Sequence, residues 1–227
     1  MPPYLHQVLI GLLLSDGSLE KSSPTSLARL SVMSPPGGGA PVLKIFFPSP
    51  PVRASLEWTL RVVWAKLTRQ RGHISYILHL YGLFEPYTDS PVRTIDTYNK
   101  KTNTHHTQVG FKTASLPLFL VYHKMFYTDE KSKRYIKIVP SNIEDLMSPI
   151  VLAHLIMGDG NLKPKDKIIR IYTNSFSKQD VERLGQAITN KLGIVAKAVH
   201  DRNGQYMLTI SRDQLEAVRS LILPYMQ

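Results

Sequence analysis

The sequence contains no cysteine, which excludes disulfide bonds, thiolate zinc sites and a cysteine nucleophile. It also contains no run of about 18 apolar residues, the length that a membrane-spanning helix requires. The apolar stretch at residues 8–14 is shorter, follows no basic segment and leads directly into Ser15-Asp16-Gly17, so it does not resemble a secretory signal. We therefore expect a soluble, intracellular protein without a targeting signal.

Acidic residues are scarce relative to basic ones. The 227 residues include 28 Lys and Arg but only 17 Asp and Glu, which gives a net charge of +11. This excess indicates a polyanionic partner, and nucleic acid is favoured because each neutralised phosphate releases a counterion. An anionic membrane surface is the competing interpretation. It ranks lower because the sequence has neither a basic amphipathic helix nor a lipidation motif.

The most informative feature is an internal repeat. Residues 8–19, VLIGLLLSDGSL, align with residues 151–162, VLAHLIMGDGNL, at an offset of 143, and six of the twelve pairs are identical. Both copies have the apolar periodicity of a helix, and each apolar helix ends in an aspartate, Asp16 or Asp159. The repeat indicates two related halves. We predict an N-terminal half at residues 1–127, a linker at 128–147 and a C-terminal half at 148–227.

Local signals predict how the two repeat helices begin, end and pack. Ser148 followed by Pro149 predicts an N-cap and a proline in the first turn. Gly17 and Gly160 predict a left-handed stop after each helix. Four small residues predict a close approach of the two helices: Gly11, Ser15, Ala153 and Gly158.

The remaining patterns predict the order αββαββα, or close to it, in both halves. In the second half the predicted elements are a strand at 168–174, a helix at 178–192 capped by Ser177, a hairpin at 195–201 and 205–211, and a helix at 213–225. In the first half they are a strand at 28–33, a helix at 73–84, a hairpin at 92–99 and 107–113, and a helix to residue 127 capped by Ser115. Residues 34–71 form an insertion-like, partly Pro/Gly-rich segment, and its later part fits a helix or a strand.

The two aspartates carry the predicted chemistry. An aspartate at a helix C-terminus costs about 0.3–1 kcal/mol, because that end carries about half a negative charge. If the repeat helices pack against each other across a pseudo-twofold axis, Asp16 and Asp159 lie side by side, and a divalent cation would offset their repulsion. Oxygen-only ligands favour Mg²⁺. An isolated Asp-Gly is more typical of a plain turn, but a plain turn does not explain why helix and acid recur together.

The two copies resemble the two motifs of a LAGLIDADG homing endonuclease of the single-chain, intron-encoded branch. The eighth motif position, acidic in the family, is Asp16 and Asp159, whereas the sixth, acidic in the eponymous motif, is Leu14 and Met157. Further segments similar to this branch are HLYGLFEPY at 79–87, FKT at 111–113, SLP at 115–117, VPSN at 139–142 and LPYM at 223–226. The region around residues 34–71 does not match well.

The resemblance implies an α+β fold and a function. Two αββαββα halves would form a pseudodimer in one monomeric chain, with the motif helices at the centre and antiparallel sheets forming a saddle over double-stranded DNA. The implied activity is site-specific double-strand cleavage over a long recognition site, with hydrolysis of phosphodiester bonds. Asp16 and Asp159 would hold Mg²⁺, helped by backbone carbonyls near Ser15 and Gly158, for activation of water and stabilisation of the leaving oxygen.

By motif position, Lys137 matches the first of two basic residues that stabilise the developing charge in the family. The alternative is that Lys137 is a solvated lysine of the linker. The second basic position of the family lies beyond residues 223–226, close to where this chain ends at Gln227. Either the natural chain continues or that role is unfilled, which would weaken cleavage of one strand or of both.

Basic residues on predicted strands and hairpin tips are the candidates for DNA contact, although each one alone could be a plain solvated charge. These candidates are Arg29, Arg93, Lys100, Lys101, Lys163, Arg170, Lys197 and Arg202, with Lys165 and Lys167 after the second motif.

Three functions therefore remain open on one scaffold. The first is a Mg²⁺-dependent DNA endonuclease, and the second is an RNA maturase that helps a group I intron fold. The third is a DNA-binding regulator without catalytic activity. In each case the resemblance implies a gene within an intron of an organelle genome, mitochondrial by preference.

Overall fold

The computed structural model describes residues 1–34, 74–99, 103–129, 135–163 and 165–226. The predicted insertion from residue 35 onward, together with Lys100 and Lys101, lies outside the described residues. The elements of the first half are α1 (Pro3–Leu14), β1 (Ser18–Lys21), β2 (Ala28–Met33), α2 (residues 74–84), β3 (Arg93–Asn99), β4 (Thr104–Lys112) and α3 (Pro117–Phe126). The elements of the second half are α5 (Pro149–Asp159), β7 (Gly160–Lys163), β8 (Ile168–Ile171), α6 (Lys178–Leu192), β9 (Ala196–His200), β10 (Tyr206–Ile210) and α7 (Leu215–Ile222). Both halves follow the predicted order αββαββα.

The two halves also share their sheet topology. The first sheet has the strand order β1-β2-β4-β3 and the second has the order β7-β8-β10-β9, with antiparallel pairing between neighbours. Such agreement in strand order is the structural counterpart of the sequence repeat. The fold is therefore a duplicated mixture of helices and antiparallel sheets, as predicted.

The segment between the halves has structure of its own. Strands β5 (Tyr127–Asp129) and β6 (Tyr135–Lys137) form a short antiparallel pair, and a single-turn helix α4 (Ile143–Leu146) follows. Helix α4 packs against α6. The predicted linker is thus an ordered connection in its described part, and it brings Lys137 to the end of β6.

The two motif helices form the centre of the core and pack directly against each other. In α1 the whole run from residue 8 to residue 14 is buried, and in α5 the run from residue 151 to residue 158 is buried. The sequence predicted a one-sided apolar stripe on each helix. Burial extends around the helices instead, because each one packs against its twin as well as against other parts of the core.

Several predicted helix ends are confirmed. The Ser148 side chain accepts a hydrogen bond from the Val151 amide at the start of α5. The Ser177 side chain accepts one from Asp180 at the start of α6. In the predicted hairpin turn between β9 and β10, Asn203 and Gly204 have φ values of 52° and 73°, as a tight turn of this type requires.

Three predictions about helix ends are wrong. Gly160 has φ −82° and is extended rather than left-handed, and Gly17 is absent from the glycines with positive φ. Helix α3 has Leu116 at its N-cap and no side-chain cap, so Ser115 does not cap it. The final helix is shorter than predicted, since single 3-10 turns at Arg212–Gln214 and Leu223–Tyr225 flank α7.

The two motif glycines are instead required by close contacts. A Cβ atom at Gly17 would lie 2.8 Å from the Leu12 carbonyl oxygen, and one at Gly160 would lie 2.3 Å from that of Ile156.

Among the described residues, none of the helices combines the length and the apolar character needed to span a membrane.

Candidate active site and nucleic-acid surface

Helices α1 and α5 approach each other closely at two points, both on predicted small residues. A Cβ atom at Gly11 would lie 2.6 Å from the His154 Cβ, and one at Gly158 would lie 2.6 Å from the Ser15 Cβ. Both distances are too short for a side chain, so the contact depends on glycine at these positions. The second contact lies next to the two motif acids in sequence, because Ser15 precedes Asp16 and Gly158 precedes Asp159.

The two aspartates therefore end neighbouring helices. Asp16 follows the C-cap of α1 and is exposed, whereas Asp159 is the last residue of α5 and is half-buried. Burial raises the pKa of Asp159 to about 7; the negative charge of Asp16 adds to this effect and the positive charge of Lys137 opposes it. The two carboxyl groups thus lie within range of each other's charge.

Lys137 lies against the end of α1. Its ammonium group donates hydrogen bonds to the carbonyl oxygens of Ser15 and Gly17, at 2.8 and 2.9 Å. Burial lowers the pKa of Lys137 to about 8, while the charges of Asp159 and Asp16 act in the opposite direction. The ammonium group also lies 5.9 Å from the centroid of the Phe176 ring, a distance at which a cation is attracted to an aromatic face.

The donor set at this point fits a hard divalent cation. No group of three or more His, Cys, Asp and Glu side chains that could hold a metal occurs in the described ranges. What converges instead is two carboxyl groups, with backbone carbonyls at the C-terminus of α1. Oxygen donors of this kind suit Mg²⁺. The half-buried ammonium group of Lys137 already donates to these carbonyls, and the charges of both aspartates favour its protonated form, so a cation at this point has oxygen partners.

The backbone groups predicted to assist the cation have partly defined roles. The carbonyl oxygen of Ser15 accepts from Lys137, and its second lone pair leaves capacity for another donor or cation. The Ser15 hydroxyl is directed elsewhere, since it donates to the Gly11 carbonyl at 3.0 Å. Gly158 lies in the last turn of α5, where backbone carbonyls have no partner within the helix.

Most predicted DNA-contacting residues lie on the sheets. Arg29 is on β2 and Arg93 begins β3, and both are exposed. The second half places the others on or next to its own sheet: Lys163 at the end of β7, Arg170 on β8, Lys197 on β9, and Arg202 in the hairpin turn. Lys165 and Lys167 are exposed in the turn after β7. Three of these cations have acidic neighbours. Lys163 pairs with Asp166, Arg202 lies 3.9 Å from Asp201, and Arg29 lies 3.2 Å from Glu20.

Sequence reasoning missed two residues of the first sheet. Glu20 lies on β1 and Lys112 ends β4, and the two form an ion pair of 2.8 Å. Lys112 is part of a segment that matched the family resemblance, but its place on the sheet depends on strand pairing. Glu20 follows the first motif, where no strand was predicted, so no pattern in the sequence identified its partners.

Comparisons with known proteins identify a family and several similar sequences. Residues 63–218 match the model of the LAGLIDADG DNA endonuclease family. The DNA endonuclease I-ChuI of Chlamydomonas applanata is 27% identical over 164 residues, which cover 68% of this chain and 75% of that protein. The cytochrome b mRNA maturase bI2 of Saccharomyces cerevisiae (strain ATCC 204508 / S288c) is 24% identical over 158 residues, but the match spans only 37% of its length.

A solved structure supports the fold over nearly the whole chain. The homing endonuclease I-WcaI bound to its DNA recognition sequence superposes with a TM-score of 0.70 at 19% identity, covering 99% of this chain and 82% of that one. An identity this low supports the fold and not the residue roles. The family model, however, covers more than half of the sequence, and two copies of the motif helix lie at the centre of the fold. The protein therefore belongs to the LAGLIDADG DNA endonuclease family.

Proposed function

We propose that this protein is a site-specific, Mg²⁺-dependent DNA endonuclease whose metal ligands are Asp16 and Asp159. The observation that carries the proposal is the position of the two acids at the ends of touching helices, within range of each other's charge and of Lys137. Repulsion between two carboxylates in a partly buried place opposes folding unless a cation offsets it. The presence of both acids despite this cost supports a functional role.

Each residue of the site has a distinct task in the proposed reaction. Asp16 and Asp159 bind and orient the cation, assisted by the carbonyl groups near Ser15 and Gly158. When bound, Mg²⁺ supplies a Lewis acid that activates water and stabilises charge on the leaving oxygen. Lys137 has a pKa of about 8, so it remains mainly protonated at neutral pH and provides a fixed positive charge close to the phosphate.

The sheets supply the proposed recognition surface. Both sheets carry basic side chains on strands, in line with the net charge of +11. We propose that the two sheets together form a saddle over duplex DNA, that their strands read a long site in the major groove, and that one chain is sufficient. The twofold repeat within the chain supports a monomer, because it supplies two similar recognition surfaces without a second copy.

The test is cleavage of DNA by the purified protein. We would incubate it with Mg²⁺ and with overlapping fragments of a host genome that lacks the intron, each cloned in a plasmid. The Asp16→Asn and Asp159→Asn variants would be assayed in the same way. We expect wild type to cut at one site, and each variant to cut at least about 10²-fold more slowly while binding the same fragment. Asp145→Asn is the matched control, since Asp145 is exposed on α4 away from the site. Cutting at the wild-type rate by either active-site variant would refute the assignment.

The second candidate function is that of an RNA maturase, and the similarity to the cytochrome b mRNA maturase favours it. That similarity also supports a gene inside an intron of an organelle genome, which we propose for this protein. The same experiment separates the two functions, if group I intron RNA is added as a second ligand. Tight binding of that RNA together with no cleavage of any fragment would favour the maturase.

A further inference from the structure

A carboxylate lies among the cations on the outer face of the first sheet. Glu20 on β1 is directly opposite Arg29 on β2 in the strand register. Lys112 on β4 is opposite Ser31, which is also on β2. The neighbouring residues Leu19 and Leu30 are buried against the core, so Glu20, Arg29 and Lys112 lie on the opposite, solvent-facing side.

Hydrogen bonds use most of the acceptor capacity of this carboxylate. Oε2 of Glu20 accepts from Nε and Nη2 of Arg29, both at 3.2 Å. The Lys112 ammonium donates to Oε1 at 3.0 Å and to Oε2 at 2.8 Å. Desolvation by itself raises the pKa of Glu20, but Lys112, Ser31 and Arg29 outweigh it, so the pKa lies below its ordinary value. A carboxylate has about four lone-pair sites, which leaves Glu20 little capacity to accept from a DNA base.

One edge of the Arg29 guanidinium group remains available to contact DNA. Of its five N–H donors, Nε and Nη2 each donate to Glu20. The Nη1 donors and the second Nη2 donor have no partner in the part of the chain that the structure describes. Because the guanidinium group is planar, these donors form a fork on the side away from Glu20. Such a fork matches the N7 and O6 acceptors that guanine presents in the major groove.

The second half lacks this arrangement. The motif offset of 143 aligns Glu20 with Lys163. The corresponding sheet therefore has a cation where the first sheet has the carboxylate. The ion-pair network is thus a specific feature of the first half and not a requirement of the fold.

We propose that Glu20 is a positioning residue for DNA recognition, which holds the Arg29 guanidinium so that its outward edge reads one guanine of the half-site bound by the first sheet. This inference rests on the proposed DNA-binding function and adds to it the residue and the base. Lys112 completes the network by neutralising Glu20. A lone carboxylate would repel the phosphates nearby, whereas a carboxylate bonded to two cations leaves this face with net positive charge.

The test is selection of bound sequences from a duplex DNA library with a randomised target region, in the absence of Mg²⁺ so that bound DNA stays intact. Wild type should prefer guanine at one position by about tenfold or more. Arg29→Ala and Glu20→Gln should both reduce the preference at that same position to about threefold or less. Glu20→Gln should bind unselected DNA at least as well as wild type, because it removes a negative charge.

Two controls separate positioning from a structural effect. Arg29→Lys keeps the charge but not the planar fork that Glu20 holds, so it should weaken the guanine preference and keep most of the affinity. Glu182→Gln makes the same charge change on α6, where Glu182 pairs with Lys178, and it should leave every preference unchanged. Glu20→Asp serves as a second variant at this position, with the charge kept and the reach shortened, and should give an intermediate preference.

The possible failures are distinct. If Glu20→Gln keeps the guanine preference that Arg29→Ala loses, Glu20 has no positioning role. If Arg29→Ala alters no position, Arg29 does not read a base, and the inference is wrong while DNA recognition stands. If wild type enriches no sequence at all, site-specific recognition itself fails, and the inference fails with it.

Discussion

Lys137 links the two halves through a single side chain. It lies at the end of β6, donates to two carbonyl oxygens after α1, and interacts electrostatically with an acid from each motif helix. A cation at a helix C-terminus is favourable because of the negative end of the helix dipole. One lysine therefore stabilises the chain after α1 and carries positive charge into the proposed site.

Replacement of Lys137 tests its proposed catalytic role. We expect Lys137→Met to reduce the single-turnover cleavage rate by about 10²–10³-fold, the usual cost of losing one preorganised charge-stabilising group. Binding of Mg²⁺, measured by calorimetry, should persist because both aspartates remain. Lys124→Met is the control, since Lys124 is exposed on α3. A wild-type rate for Lys137→Met would remove this lysine from the site.

A buried polar residue, His154, lies in the contact between the motif helices. Its Nδ1 shares a hydrogen bond of 2.8 Å with the Tyr76 hydroxyl, and its Nε2 has no partner among the described residues. Burial lowers the pKa of His154 to about 4, and the nearby His79 contributes in the same direction. The imidazole is therefore neutral in the folded protein at neutral pH.

This lowered pKa predicts a loss of stability in acid. The unfolded chain binds a proton at His154 near pH 6.5 and the folded chain does not, so stability is complete above pH 6.5 and falls as the pH approaches 4. The shift corresponds to about 3 kcal/mol at most. His154→Asn, which cannot titrate, should show a correspondingly smaller loss of unfolding free energy between these pH values in urea titrations. If the unfolding free energies of wild type and His154→Asn depended on pH in the same way, the lowered pKa of His154 would be contradicted.

At the scale of the elements, the contact between α1 and α5 decides the geometry of the site. The two helices touch at Gly11 and at Gly158, where even a methyl group would overlap a neighbour. The neighbour at Gly158 is the Cβ atom of Ser15, which cannot move away by rotating a side chain. The distance between the motif acids therefore depends on the absence of a single methyl group at the crossing.

Gly158→Ala should separate the helix ends. We expect a loss of about 1–3 kcal/mol in the free energy of unfolding, typical of overpacking, and weaker Mg²⁺ binding. Gly82→Ala on α2 is the control, because a Cβ atom there meets nothing within 4 Å and alanine is favoured over glycine in a helix by about 0.5–1 kcal/mol. Urea unfolding measures the free energy of unfolding of both variants. Equal effects of the two substitutions would show that helix propensity, not the crossing, sets the stability.

At the scale of the whole molecule, the charge is spread over both halves. Cations lie on strands of each sheet, and the hairpin turn of the second half adds Arg202. The helix α6 packs behind β9 and β10, so its lysines face away from the proposed DNA surface. A surface of this kind binds phosphates through release of counterions, and its affinity falls steeply with salt.

The salt dependence of binding tests which face meets DNA. We expect Lys197→Gln on β9 to reduce the slope of log affinity against log salt concentration by about one, the change for one lost phosphate contact. Lys191→Gln, in the last turn of α6, should leave the slope unchanged. Binding isotherms at several salt concentrations give both values. The reverse result would show that DNA binds to the helical side of the second half.

Local signals were sufficient for much of the architecture. Ser148 and Ser177 cap their helices as predicted, and Asn203-Gly204 forms the predicted turn. These features depend on neighbours within a few residues, so the chain specifies them without reference to the rest of the fold. Ser115 shows the limit, because a suitable residue type occurs one position before the observed N-cap, Leu116, and the helix starts at Pro117 without a side-chain cap.

The sequence by itself determined the duplication, the order of the elements, the small residues at the helix contact and the pair of acids, because all of these are written as a repeat or a local pattern. Only the tertiary structure decided where the ammonium group of Lys137 lies and that Glu20 bonds to Arg29 and Lys112. These contacts join residues of different elements, whereas the close contacts of Gly17 and Gly160 lie within five residues along the chain. The physical reason is that strand register and helix crossing are set by packing across the whole core, which no short window of sequence contains.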